Sequence, residues 1–173
     1  MYYSKIDDID TINCKGVGVS LFVSGCTLRC EGCFNKQAWD FKAGEEFDDK
    51  TFSKLIALVQ RSYIDCFSVL GGEPFEPRNR ETVLEIIKEM RNLKKSKLDI
   101  YIWSGHTYEE LIKEDINKEI LSYCDYLIDG RFMKDKQDFN LILRGSTNQR
   151  VIDLAETERT NKVVTLYDIE KGA

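Results

Sequence analysis

Apolar and polar residues follow two rhythms along this chain, and the switches between them mark its elements. Val17, Val19, Leu21 and Val23 recur at every second position, which predicts a strand over Val17–Val23. Phe52, Leu55, Ile56 and Val59 stand at i, i+3, i+4 and i+7, which predicts a helix over Thr51–Arg61. Phe67–Leu70 is a short apolar run stopped by Gly71-Gly72, the pattern of a buried strand. After Pro77, the positions Val83, Leu84, Ile87, Met90 and Leu93 trace a second amphipathic helix. Leu98–Trp103 is β-branched and aromatic and reads as a strand. Thr107 with Glu110 three residues on resembles a capping box, opening a helix that runs to about Tyr123. Tyr126–Ile128 is a fourth strand, ended by Asp129-Gly130.

The tail is less regular. Leu141–Arg150 has no clear period, residues 153–162 read as a solvated connection, and Val163–Tyr167 as an edge strand. Strands alternating with helices imply right-handed crossovers, an α/β class and a mainly parallel sheet. In such sheets the carboxyl ends of the strands share one edge, where ligands bind. Ser24-Gly25, Gly71-Gly72-Glu73, Ser104-Gly105-His106 and Asp129-Gly130 each follow a predicted strand, so four separated motifs are expected at that edge.

Composition narrows the classes. With 173 residues, 42% hydrophobic, and no repeat or interdomain linker, the chain reads as one domain over 1–173, neither disordered nor membrane-spanning. The first eight residues hold no apolar leader segment. A formal net charge of −5 disfavours nonspecific nucleic-acid binding, which needs a basic face. The charges from Glu81 to Arg91 and at Lys94, Lys95 and Lys97 read as solvated helix surface.

The cysteines carry the chemistry. Cys26, Cys30 and Cys33 form a C-x3-C-x2-C loop directly after the first predicted strand. Three close thiolates suit three irons of a cubane iron–sulfur cluster, and with no fourth cysteine in the loop one iron is left for an outside ligand. A zinc site completed by His106 is the alternative, against the usual pairing of zinc ligands from separate segments. Cys14, Cys66 and Cys124 read as buried packing thiols, because a chain without a leader favours metal or catalytic thiols over disulfides. Gly71-Gly72-Glu73-Pro74 alone is a weak turn signal. After a buried strand, its glycines permit close backbone approach to a ligand, and Glu73 suits an ammonium group. Phe34 is placed to cover an aromatic ligand, Trp39 to pin the loop by packing, and His106 to serve either the helix start or the ligand edge.

Cys26-Thr27-Leu28-Arg29-Cys30-Glu31-Gly32-Cys33-Phe34 resembles the signature of radical S-adenosylmethionine enzymes, and Gly71-Gly72-Glu73-Pro74 resembles their methionine-amino motif. Within that superfamily the chain is similar to the activating proteins of anaerobic ribonucleoside-triphosphate reductases over about residues 1–150. The segments Trp103-Ser104-Gly105, Ile128–Phe132 and Arg144–Gln149 single out this family, and a family-specific segment begins at about residue 130. The chain departs from the family in Asn13-Cys14-Lys15-Gly16 where Asn-Gly-Pro-Gly is usual, in Phe34 for tyrosine, and in His106 for an aromatic.

The resemblance implies a cytoplasmic iron–sulfur enzyme. Cys26, Cys30 and Cys33 would ligate a 4Fe-4S cluster, and Gly71, Gly72, Glu73, Gly32, Cys33 and Phe34 would bind S-adenosylmethionine. The product radical would take a hydrogen atom from a glycine of the reductase, with electrons from a flavodoxin-like or ferredoxin-like donor. An incomplete TIM-like β/α barrel is also implied, since a full barrel takes about 250 residues. Two alternatives stand beside this reading: an activase of another glycyl-radical enzyme, and a noncatalytic iron–sulfur or zinc module. The missing ferredoxin-like insert speaks against the first, the three-cysteine count and the Gly-Gly-Glu loop against the second.

Overall fold

The computed structural model describes residues 1–94 and 98–167, so Lys95 and Lys97 lie outside the described residues. Eight strands form one mixed sheet in the order β3-β1-β2-β4-β5-β6-β7-β8. They are β1 (Tyr2–Asp10), β2 (Gly18–Val23), β3 (Glu45–Glu46), β4 (Cys66–Gly71), β5 (Asp99–Trp103), β6 (Tyr126–Asp129), β7 (Arg150–Asp153) and β8 (Val164–Leu166). The four central strands, β2, β4, β5 and β6, are parallel, as the alternation predicts. Both flanks are antiparallel. The five helices of the described residues are α1 (Asp49–Val59), α2 (Arg80–Lys94), α3 (Tyr108–Leu111), α4 (Asp115–Ser122) and α5 (Leu154–Thr160).

The period of two along each strand divides the sheet into unlike faces. Val19, Leu21, Val23, Phe67, Val69, Ile100, Ile102 and Leu127 pack with Leu55, Val83, Ile87 and Ile120 of the helices into one apolar core. The other face carries a smaller cluster of Cys14, Cys66, Tyr101, Ile128 and Val151, with Trp103 and Leu143 against it. Tyr101 stacks on Tyr126, centroids 4.7 Å apart.

Three expectations need correction. Cys14 and Cys66 are not separate thiols: a disulfide joins them. The segment between β1 and β2 folds over the sheet, where the Asn13 carbonyl accepts from Ser68 Oγ at 2.7 Å, and this brings Cys14 onto the first residue of β4. Cys124 is buried, as expected, and its thiol donates to the Ile120 carbonyl.

The helix expected from Thr107 to Tyr123 is two. The capping box at Thr107 is formed, but the chain turns between Ile112 and Glu114. At about 100° per residue, Leu111 and Ile120 would face opposite sides of one straight helix, yet both are buried in the same core. The stretch expected as a solvated connection contains α5, capped by Asp153 and burying only Leu154 and Thr157, too few positions to show a period. β1 and β7 also escape the pattern. β1 is a charged edge strand whose outer side pairs with β3 only at Tyr2 and Tyr3, leaving Lys5, Asp7 and Asp8 beyond it.

Candidate iron–sulfur site

The carboxyl ends of β2, β4, β5 and β6 do share one edge, and their motifs meet around a cavity of about 360 Å³. Cys26, Cys30, Cys33, Phe34, Gly71, Gly72 and Glu73 all line it, joined from the second half of the chain by Trp103, Gly130, Leu143 and Gln149. Gly32 is not on the lining, and lies beside the Lys134 side chain. His106 is also off the lining. Its backbone carbonyl accepts from Gly130, and its Nδ1 stands 3.8 Å from Glu110, so it belongs to the helix start. A larger cavity, about 660 Å³ between α3, α4 and α5, gathers none of the motif residues.

The cysteine loop is fixed by its own main chain. Gly25 N donates to Ala38 O at 2.8 Å and Cys26 N to Trp39 O at 3.3 Å, so a short 3-10 turn, Lys36–Trp39, backs the start of the loop. On the other side Gly72 N donates to Val23 O at 2.7 Å and Glu73 N to Gly25 O at 2.9 Å. A Cβ on Gly72 would stand 2.5 Å from Gly25 O and 3.0 Å from Ala38 O. The glycines therefore serve the approach of one loop to the other, as much as any approach to a ligand. Trp39 pins the loop through its carbonyl.

Glu73 is fully buried. Its Oε1 accepts from Phe75 N at 3.1 Å and Ser104 Oγ at 3.0 Å, and its Oε2 from Gly105 N at 2.8 Å. Burial pushes its carboxyl upward, and these donors with the nearby His106 pull the other way. A carboxylate offers about four acceptor sites, so some capacity is left toward the cavity. Two neighbours that the pattern did not reveal complete this wall. Glu76 accepts from both Thr27 N and Thr27 Oγ1 at 2.6 Å, and buried Asn79 donates to the carbonyls of Ser24 and Glu73.

The opposite wall hangs from side chains. Gln149 Nε2 donates to Gly130 O at 2.9 Å while its Oε1 accepts from Gly145 N at 2.9 Å. Asn148 Nδ2 donates to Arg131 O and Trp103 Nε1 to Leu143 O. Behind them Arg150 donates to buried Asp129 and to Glu109, and the Arg150 guanidinium holds the Glu109 carboxyl down at about 2. Asp129-Gly130 points to this wall by following a predicted strand, and Trp103-Ser104-Gly105, Ile128–Phe132 and Arg144–Gln149 point to it by resemblance.

The donors suit a cluster. Burial pushes the Cys26 thiol up to about 11, with Glu73 and Glu76 adding to the shift against backbone donors at Leu28 and Arg29. Such a thiol is held as thiolate only by a cation, and a coordinating metal supplies one. Among the described residues no three Cys, His, Asp or Glu side chains close around a single ion.

Comparison with known proteins agrees with that donor set. Residues 12–152 match the family model of a 4Fe-4S single cluster domain, which gives the class of the protein. Its curated relatives include the anaerobic ribonucleoside-triphosphate reductase-activating protein of Pasteurella multocida, 38% identical over 86% of this chain and 95% of the relative. The protein of that name from Enterobacteria phage T4 is 36% identical over 87% of this chain and 93% of its own length, and that from Escherichia coli K12 is 33% identical over 87% and 97%. The chain belongs to the family of anaerobic ribonucleoside-triphosphate reductase-activating proteins.

Proposed function

We propose that this protein is a radical S-adenosylmethionine enzyme that activates an anaerobic ribonucleoside-triphosphate reductase. The observation that carries the reading is the meeting of three cysteines and the Gly-Gly-Glu loop on one cavity, in a chain of this family. When bound, a 4Fe-4S cluster with S-adenosylmethionine supplies one-electron cleavage of the sulfonium and a 5′-deoxyadenosyl radical able to take a glycine α-hydrogen.

Cys26, Cys30 and Cys33 would hold three irons of the cluster and leave the fourth open to an outside ligand. The backbone of Gly71 and Gly72 and the remaining acceptor capacity of Glu73 would receive the ammonium. Among the described residues Glu73 has no lysine or arginine partner, so a cationic ligand would match its charge. Backbone at Cys33 and Phe34 would take the adenine, with Gly32 allowing the turn beside it, and Phe34, 74% exposed and 5.6 Å from Phe132 by ring centroids, would cover it. Trp103 and Leu143 would keep water from the reacting centre.

The antiparallel flanks fit an incomplete barrel, open enough for a protein backbone to be the substrate. One domain over 1–173, with a family-specific part from about 130, a cytoplasmic setting, and a flavodoxin-like or ferredoxin-like electron donor complete the reading. Among the described residues no helix is long and apolar enough to cross a membrane.

The test is release of 5′-deoxyadenosine by protein reconstituted anaerobically with iron and sulfide, reduced, and given S-adenosylmethionine. Wild type is expected to release it and Cys30→Ala to lose at least a hundredfold. An intact cluster without product, also in the presence of the reductase, would overturn the reading.

A further inference from the structure

We propose that Glu76 is a positioning residue that sets how the chain leaves Cys26. The inference rests on the assignment of the cluster to Cys26, Cys30 and Cys33. Glu76 is 7% exposed, and its Oε1 accepts two hydrogen bonds from one residue, Thr27 N and Thr27 Oγ1, each at 2.6 Å. Thr27 is the first residue of the spacer between Cys26 and Cys30, so both its backbone direction and its side chain are tied to a single acceptor.

The tie is anchored at its other end. Glu76 N donates to Glu73 O at 3.2 Å, and Glu76 O accepts from Asn79 N at 2.8 Å and Arg80 N at 3.0 Å. The carboxylate thus stands on the turn that carries Glu73 and leads into α2, and it couples the Gly-Gly-Glu loop to the cysteine loop by side chain as well as by main chain. Bonds to an ionised acceptor are the stronger kind, and outer partners that orient metal ligands commonly carry tenfold or more in metal affinity. Among the described residues Glu76 pairs with no cation, so it also sets a buried negative charge beside Cys26. A negative charge near a cluster opposes the arrival of an electron.

Three variants test this: Glu76→Ala, Glu76→Gln and Thr27→Val. In the apoprotein, hydrogen exchange across residues 27–33 is expected to quicken at least tenfold in Glu76→Ala, less in Thr27→Val, and little in Glu76→Gln, which keeps an acceptor oxygen. After anaerobic reconstitution, Glu76→Ala is expected to hold less than half the wild-type iron and sulfide. Glu76→Gln is expected to hold the full complement with its midpoint potential, followed by electron paramagnetic resonance, moved in the positive direction. Unchanged exchange in Glu76→Ala, or full cluster content with the wild-type potential in both Glu76 variants, would overturn the proposal. Failure of the cluster assignment is read separately, as full cluster content in Cys30→Ala, and the apoprotein exchange still decides whether Glu76 holds the loop.

Discussion

The two walls of the cavity are built by different means. The wall from the first half of the chain, Ser24 to Trp39 with Gly71 to Asn79, is stitched mainly by backbone donors to backbone carbonyls, with two carboxylates and one amide filling the gaps. The wall from Gly130 to Gln149 has little regular structure; backbone bonds such as Thr147 N to Lys136 O and Asp138 N to Gly145 O hold it locally, and side-chain amides, an indole and the Arg144 guanidinium hold further carbonyls in place. Backbone stitching fixes distances between loops to within the reach of a hydrogen bond, which suits the rigid cluster proposed for the three cysteines. Side-chain bonds added to the backbone ones hold in place a wall that has little regular structure and is freer in its path. Phe139 and Ile142, both exposed, stand on that freer wall.

The sharpest way to break this contrast is Gly72→Ala. Its Cβ would meet two backbone oxygens that cannot rotate aside. A cost of about 3 kcal/mol is expected, the upper part of the overpacking range, with iron content well below wild type by chemical assay. A milder change at the other wall should leave cluster loading intact. Arg150→Ala strips buried Asp129 of its guanidinium partner. Breaking a buried pair costs about 3–5 kcal/mol, and because Arg150 is partly exposed about 2 kcal/mol is expected, read as a lower denaturant midpoint with near-normal iron.

The smallest effect concerns Glu109, whose carboxyl is held at about 2, chiefly by its hydrogen bonds from Arg150. A carboxyl lowered on folding adds stability above its unfolded value, near 4.3, and loses it as pH falls toward 2. Glu109 is about half exposed, so solvent screening limits the gain to about 0.5–1 kcal/mol. The stability gap between wild type and Glu109→Gln should therefore be widest at pH 5 to 7 and close between pH 4.5 and 2. A gap that stays constant over that range would remove the ion pair from the account.

The same contrast explains what the sequence reveals. Cys26, Cys30, Cys33 and Gly71-Gly72-Glu73 are legible because clustered thiols and close-approach glycines are distinctive residue types at short spacing. Asp129 and Gln149 are marked only as members of Asp129-Gly130 and Arg144–Gln149, and what they and Arg150 hold is not legible, because each acts across a distance of 4 to 41 residues and is ordinary in type. The parallel core follows from the apolar periods of β2, β4, β5 and β6. β1 is masked by its charges and α5 by its single buried pair of positions. The Cys14–Cys66 bond is hidden by a separation of 52 residues, which only the path of the segment over the sheet closes.

The charged outer side of β1 has a consequence for how copies of the protein meet. Unpaired strand edges invite a neighbouring chain to add itself, in register, to the sheet. Beyond Tyr3, however, this edge presents Lys5, Asp7 and Asp8 within four residues. Charged side chains along an exposed edge are one of the ways natural sheets discourage such addition. This stretch of the border is thus guarded by charge where β3 covers only its first residues.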